Sequence, residues 1–370
     1  MQQQYLKTLT WLRAFAAFFV VVSHSLRTSE VAYATKDVPS YFLPINLLDL
    51  GTFGVYLFFA LSGCTLYISN HEKINKMHDL IPFYTKRFFR IWPIFAISLA
   101  IYLIFIEFFR YNYHANPEFW IAQFLKEYKI SDVFIYLTLT FNLTGPNGLF
   151  IGPYWSLPVE FQYYLLLPFT LLLMKRKFKF LPPLMFGFVL YMLYLEQIFN
   201  IDRIEIFKMG YVFFGGVLIA QYYQKIPFKI PFNLSIFTFS LIILFTGMIR
   251  NNLLVIPDDI PFIWDKFNLY GILSLLSLVL ALITLPPSRD YKLLSFIHKY
   301  GTISYSIYLF HMLFLGIASL LVIHFEIYGD TLKLLFVLSF SLVGSYYFSV
   351  LTYKYIELKF IKLGRELIKK

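Results

Sequence analysis

A chain of 370 residues in which 59% are hydrophobic and only 14% are charged does not have the composition of a water-soluble protein. A soluble domain carries about a quarter of its residues as charged side chains. The 44 Phe and 29 Tyr residues are typical of a surface that faces lipid and its interfaces. The net charge of +11 favours a cytoplasmic lipid face as the partner and not nucleic acid. The single cysteine, Cys64, excludes an internal disulfide framework and a cysteine-based metal site.

Apolar runs of about 17 to 25 residues are long enough to cross a bilayer as helices. Ten such runs occur in chain order, near residues 8–26, 47–69, 88–109, 156–174, 181–198, 208–224, 231–249, 267–285, 301–324 and 332–353. The apolar stretch 131–144 is shorter and is followed by Gly145, so we expect a re-entrant or interfacial segment there. The predicted fold is an all-α, polytopic membrane helical bundle of about ten spans plus this short re-entrant segment. We expect residues 1–370 to form one integral membrane domain without an appended soluble domain.

The distribution of charge predicts the orientation of the spans. With the N-terminus inside and ten alternating spans, most Lys and Arg residues fall on inner segments and most Asp and Glu residues on outer ones. This bias follows the positive-inside rule. If 131–144 crossed fully, every later loop would change sides and the KRK sequence at 175–177 would face outwards. We therefore expect both termini in the cytoplasm.

The first span carries two ionisable residues, Arg13 and His24. They are eleven residues apart, which places them within about 20° on one helix face and about 16 Å apart in depth. An ionisable residue inside a span costs free energy, so its presence needs a structural or functional explanation. One reading is structural, with Arg13 reaching the inner headgroups and His24 at the outer interface. The other reading is functional, and the first span alone does not separate the two.

The third span begins with Arg87 and Arg90, which are neighbours on one helix face. They are expected at the same inner depth as Arg13. Two basic residues at a span end are typical of a positive-inside anchor. Three arginines at one depth also provide the paired donors that bind phosphate groups.

The fourth span contains Glu160 several residues from its outer end, at the depth expected for His24. A carboxylate in a membrane must find a partner or stay protonated. His24 is the predicted partner, and a protonated Glu160 bonded to a neighbouring helix is the alternative. Trp155 lies at the start of this helix, and Tyr164 continues it.

Two further segments are polar at depth. Ser62 and Gly63 lie in the second span, where small residues permit close helix packing. His311 lies in the middle of the ninth span beside a stretch rich in Ser and Tyr, and a core histidine bonded to a hydroxyl is as good a reading as a catalytic one. Glu357, at the inner end of the last span, is expected to pair with Lys354 or Lys359.

These residues resemble membrane acyltransferase family 3, the bacterial O-acetyltransferases of surface polysaccharides. The resemblance covers about residues 5 to 360, and one position departs from it, because Cys64 stands where Phe is usual. Five blocks recur in the family's order: Arg13 with His24, LFFALSG at 57–63, Arg87 with Arg90, YWSLPVEFQYY at 154–164, and SYSIYLFH at 304–311.

The resemblance implies an acyl-coenzyme A donor, usually acetyl-CoA, and an acceptor hydroxyl on a surface or lipid-linked sugar. It places the protein in the bacterial inner (cytoplasmic) membrane, among membrane lipids, without nucleic acid, a permanently bound cofactor or a metal. The predicted roles are donor binding by Arg13, Arg87 and Arg90, and catalysis by His24 with Glu160. His24 acts either as general base or as a transient acyl carrier. Supporting roles are expected for Ser62, Trp155, Tyr164, Tyr305 and His311.

Two rival functions remain open at this stage. A transporter or flippase of a lipid-linked glycan would also line its path with buried charges, but the paired broken helices typical of such proteins are not evident. An acyltransferase could instead act on a small-molecule acceptor. The acyl group, whether acetyl, succinyl or longer, and the acceptor hydroxyl are likewise open.

Overall fold

The structure, a computed structural model, describes residues 2–33, 37–112, 122–145, 149–176, 178–198, 205–254, 266–289 and 291–369. Helices account for most of these ranges, and the one extended pairing within them is an isolated bridge between Ile230 and Thr284. The predicted all-α fold is confirmed.

The described residues contain fifteen α-helices. They are α1 (Gln2–Thr28), α2 (Leu43–Asn46), α3 (Gly51–Asn70), α4 (Leu80–Asn112), α5 (Ile130–Leu137), α6 (Phe141–Thr144), α7 (Ser156–Arg176), α8 (Leu181–Ile198), α9 (Glu205–Tyr222), α10 (Phe232–Arg250), α11 (Lys266–Ile283), α12 (Lys292–Thr302), α13 (Ser304–His324), α14 (Asp330–Thr352) and α15 (Leu358–Leu367). A single π turn, Tyr353–Glu357, joins α14 to α15.

Each of the ten predicted spans corresponds to one of these helices. Within the described ranges, eight helical segments are long and apolar enough to cross a membrane, and they belong to α1, α3, α4, α7, α10, α11, α13 and α14. The remaining two predicted spans are α8 and α9. The apolar part of α8, Leu181–Leu195, is shorter than the other spans. The chain is therefore a multi-pass helical membrane protein.

The segment 131–144 is broken and does not form a span. It contains α5, of eight residues, and α6, of four residues. Between them Leu139 adopts a left-handed conformation with φ 56°, which ends the first helix. Eight helical residues reach about 12 Å, well short of a hydrocarbon core of roughly 30 Å. The prediction that this segment is too short to cross agrees with the structure, and its re-entrant placement stays a prediction.

The described chain divides into two compact units, and the first comprises Met1–Ser23, Tyr33–Asp79 and Leu166–Ser304. In this unit α3 packs closely on α9 and α11. Close approach depends on glycine, because a Cβ at Gly63 would lie 2.1 Å from the carbonyl oxygen of Phe213. A buried ion pair adds to the unit: Asp49 accepts hydrogen bonds from Arg250 Nε at 3.2 Å and from Ser23 Oγ at 2.5 Å.

The second unit comprises His24–Ala32, Leu80–Leu165 and Tyr305–Lys370. Its helices α4 and α13 are joined through Tyr102, whose hydroxyl donates to Leu309 O at 2.8 Å and accepts from Leu313 N at 3.0 Å. Helix α15 packs on α4, where a Cβ at Gly364 would lie 2.8 Å from the Cβ of Phe89. The second unit holds most of the site residues predicted from the sequence.

Candidate active site

Helix α13 presents polar side chains to several neighbouring segments of the second unit. Near its start, Tyr305 donates from its hydroxyl to Ile91 O on α4 at 3.2 Å, and Ser306 donates to Glu357 Oε2 at 3.0 Å. One turn further, the hydroxyl of Tyr308 donates to Pro153 O at 2.6 Å and lies 2.8 Å from Ser156 Oγ at the start of α7. The next polar side chain, His311, reaches the end of α1.

His311 forms a pair with His24. The Nε2 atom of His311 lies 2.9 Å from the Nδ1 atom of His24, and the two ring planes differ by only 14°. On its other side, His311 Nδ1 lies 2.8 Å from Tyr308 O and 3.2 Å from Ile307 O. His311 is fully buried, whereas His24 is half-buried and retains accessible surface.

The hydrogen-bond partners fix the tautomers of this pair. A carbonyl oxygen only accepts, so the proton of neutral His311 must lie on Nδ1, and its Nε2 is an acceptor. The Nδ1–H group of His24 therefore donates to His311, and the basic nitrogen of His24 is Nε2. This arrangement holds one imidazole in the tautomer that a general base requires.

Glu160 lies one helical turn before Tyr164 on α7, and the Tyr164 hydroxyl donates a hydrogen bond to its carboxylate. The hydroxyls of Tyr305 and Tyr308 on α13 lie within electrostatic range of Glu160. The sequence suggested Glu160 as the partner of His24, but the Nδ1 atom of His24 is bonded to His311. The predicted pairing of Glu160 with His24 stays a prediction.

Arg87 and Arg90 are half-buried on α4 in the same unit. The guanidinium of Arg87 lies over the rings of Phe83 and Tyr164, 5.9 Å from each centroid. Tyr164 therefore links this arginine to Glu160, a connection that the sequence did not reveal. Glu357 and Tyr353 lie within electrostatic range of Arg90.

Arg13 belongs to the first unit, where its Nη2 atom donates to Thr65 Oγ1 on α3 at 2.8 Å. Its share in donor binding stays a prediction. Ser62 is also in the first unit and is buried beside Gly63, at the close approach of α3 to α9. Trp155 ends a 3₁₀ turn, Gly152–Trp155, immediately before α7 and is half-buried.

The expected pairing of Glu357 with Lys354 or Lys359 is wrong. Glu357 is buried and accepts its hydrogen bond from Ser306, while Lys354 Nζ lies over the ring of Tyr355 at 5.0 Å. The reason is the π turn, which turns Glu357 away from the exposed face that carries the lysines. No pattern in the sequence marks this turn, and residue type alone did not single out Ser306 or Tyr308.

Comparison with known proteins identifies the family. The family model described as acyltransferase domain matches residues 6–352, almost the whole chain. The O-acetyltransferase OatA of Staphylococcus aureus, from strains NCTC 8325, COL and MRSA252, is 28% identical over 185 residues. That alignment covers 48% of this chain and 26% of each relative, so the chain matches about a quarter of their length. No solved structure matches the chain. The resemblance carried by the five sequence blocks is confirmed, and this membrane protein belongs to acyltransferase family 3.

Proposed function

We propose that the protein transfers an acyl group, in the first instance acetyl, from acyl-coenzyme A to a hydroxyl of a cell-surface or lipid-linked sugar. The observation that carries this proposal is the His24–His311 pair, which leaves Nε2 of His24 as a basic nitrogen on a half-buried side chain. The relatives from Staphylococcus aureus are named O-acetyltransferases, which supports a hydroxyl as the acceptor.

In the proposed reaction, Nε2 of His24 removes the proton of the acceptor hydroxyl as its oxygen attacks the thioester carbonyl. The tetrahedral intermediate then collapses, the carbon–sulfur bond breaks, and the coenzyme A thiolate leaves. The imidazolium of His24 returns the proton to the thiolate. His311 stabilises that imidazolium because its Nε2 accepts the Nδ1–H bond throughout, and a charged donor strengthens such a bond. In the alternative route His24 carries the acyl group before the sugar takes it.

Arg87 and Arg90 would bind the phosphate groups of the donor, because guanidinium groups pair with phosphate through two parallel hydrogen bonds. Their neighbours place them near one end of α13, since Tyr305 bonds Ile91 beside Arg90. His311 follows Tyr305 by six residues, a rise of about 9 Å. The flexible pantetheine arm, which separates the phosphates of coenzyme A from its sulfur, would cover this interval. Arg13 remains a third candidate.

The acceptor and the location of the protein complete the proposal. The charge distribution supports a bacterial inner membrane protein with both termini in the cytoplasm, so that acyl-coenzyme A enters from the inner side. The sugar acceptor would then be presented from the outer side or by a lipid carrier.

The test uses membranes that contain the full chain, supplied with acetyl-coenzyme A labelled in the acetyl group. Wild-type membranes should transfer label to glycan or lipid-linked sugar, identified by mass after extraction. His24→Ala should lose this transfer at matched expression. The matched control is His78→Ala, because His78 is exposed and pairs with its neighbour Asp79. Label on a soluble small molecule would show that the acceptor is a small molecule and not a surface or lipid-linked sugar. No transfer at all by the wild type would overturn the proposal.

A further inference from the structure

Glu357 is a buried carboxylate that the proposed reaction does not use. Its side chain is only 1% exposed. The Oε2 atom accepts a hydrogen bond from Ser306 at 3.0 Å, whereas Oε1 is buried and has no hydrogen-bond partner among the described residues. A carboxylate in such surroundings is unfavourable without a nearby positive charge. Its environment should therefore contain one.

The π turn places Glu357 in this buried position. Along α14 the buried polar residues recur about every four positions, at Ser341, Ser345 and Ser349, and then at Thr352. The next buried position is Glu357, five residues after Thr352, which is the spacing of a π turn. In an uninterrupted α-helix the side chain at 357 would be rotated away from this face by roughly 100°, the turn of one residue. Single π turns inside helices are frequent at functional sites.

The positive charge near Glu357 is that of Arg90. The π turn packs on α4, the helix that carries Arg90, and this contact brings the Arg90 side chain within electrostatic range of Glu357. Both chain neighbours of Arg90 are fixed by the same part of the structure. Phe89 lies against Gly364 of α15, and Ile91 O accepts the hydroxyl of Tyr305, the residue before Ser306. Arg90 thus stands on a backbone segment held from two sides, on the helix against which the π turn of Glu357 packs.

We propose that Glu357, fixed by Ser306, is the positioning residue of Arg90 and directs its guanidinium towards the phosphate groups of the acyl-coenzyme A donor. The inference rests on the proposed function, because it requires Arg90 to bind the donor. A planar guanidinium has donors on several edges, so attraction by Glu357 on one side leaves other N–H groups for a phosphate. The long side chain of Arg90 loses much rotational freedom on binding, and the fixed carboxylate reduces that loss by ordering the side chain beforehand.

The test is a double-mutant cycle on the full-length protein in membranes or detergent. Glu357→Gln keeps the shape and removes the charge, and it should raise the KM for acyl-coenzyme A roughly tenfold with kcat little changed. Ser306→Ala should change the KM in the same direction by a smaller factor. In an Arg90→Ala background Glu357→Gln should have no further effect on the KM. Glu366→Gln, an exposed carboxylate on α15 that pairs with Lys362, is the matched control and should match the wild type.

Each other outcome counts against one proposal in particular. Glu357→Gln could raise the KM for acyl-coenzyme A by the same factor in the wild type and in the Arg90→Ala variant. In that case Glu357 does not act through Arg90, and the inference is overturned. A fall in thermal stability and kcat with an unchanged KM would give Glu357 a purely structural role, and the inference would again fail. If Arg90→Ala itself leaves the KM unchanged, the donor site in the proposed function is wrong, whatever Glu357 does.

Discussion

At the scale of single residues, the direction of hydrogen bonds determines what His24 can do. Tyr308 O accepts from His311, and His311 accepts from His24. A carbonyl group at the end of this chain cannot reverse it. The result resembles the way in which a buried acceptor holds a catalytic histidine in one tautomer, although the acceptor is a second histidine and carries no charge.

His311→Ala should reduce turnover without preventing donor binding. The substitution removes the acceptor of the His24 Nδ1–H group, and a hydrogen bond to a charged group contributes about 1.5–3 kcal/mol. We expect kcat to fall roughly 10- to 100-fold, with the KM for acyl-coenzyme A unchanged. Steady-state kinetics on matched amounts of protein measure both. His311→Gln, whose amide oxygen can accept the same bond, should recover part of the loss. Wild-type kcat in His311→Ala would remove the histidine pair from the mechanism.

Arg87→Lys should weaken donor binding even though the charge is kept. An ammonium is a single point charge that cannot pair with a phosphate as a fork, and it stacks less well on an aromatic ring. Arg87 would use both its forked pairing with phosphate and its stacking on a ring if it lies over Tyr164 while it binds the donor. We expect an increase of roughly tenfold in donor KM. Arg110→Lys, on the same helix and paired with Glu107 near its end, should bind the donor as the wild type does. Equal donor KM values for the two variants would make Arg87 a topological anchor.

The sequence predicted which residues are chemically unusual, but not their partners. Arg13, His24, Arg87, Arg90 and Glu160 stand out because charge in a span is costly. The His24–His311 contact joins residues 287 positions apart. Only the packing of the helices decides such a contact, so periodicity on one helix cannot reveal it. The same reason explains why Ser306 was not expected beside Glu357.

At the scale of the helices, close backbone contact explains the small residues of α3 and α9. A Cβ at Gly63 would meet Phe213 O, and a Cβ at Gly216 would lie 2.2 Å from Ala60 O. Helices in lipid associate largely through close packing, because the acyl chains are as apolar as the helix surfaces and the hydrophobic effect does not drive association there. The sequence suggested this role for the small residues of the second span. It gave no sign of which helix would be the neighbour.

Gly216→Ala should therefore destabilise the protein, although alanine normally favours a helix over glycine. The added methyl group must move backbone atoms of α3, and overpacking of this kind costs about 1–3 kcal/mol. Thermal unfolding in detergent should show a lower Tm. Gly187→Ala on α8 is the matched control, because a Cβ there would meet no atom of the described residues within 4 Å, and its Tm should be equal to that of the wild type or higher. Equal Tm values for both variants would contradict the close contact of α3 and α9.

At the scale of the whole molecule, hydropathy and charge predicted the helical class and nearly all of the long helices. They could not settle how many helices cross the membrane. The described residues contain eight helices of sufficient length and hydropathy, and α8 and α9 decide between eight crossings and ten. Both counts put the C-terminus on the same side as the N-terminus. They differ in the side on which the connection between α8 and α9 lies.

Cysteine labelling can distinguish the two counts, because the one native cysteine, Cys64, is buried and should react slowly. With ten crossings, a cysteine introduced as Asn200→Cys, between α8 and α9, should react with an impermeant maleimide in intact cells. With eight crossings it should react only after permeabilisation. Tyr328→Cys, at an exposed position between α13 and α14, should label from outside in both cases. Lys369→Cys should require permeabilisation in both cases.

These two controls make the result at position 200 interpretable. We expect labelling of Asn200→Cys in intact cells, because ten alternating spans satisfy the positive-inside distribution. Protection of Asn200→Cys with normal controls would reduce the count to eight. Labelling of Lys369→Cys in intact cells would show that the C-terminus lies outside. The proposed entry of acyl-coenzyme A from the side of the termini would then be wrong.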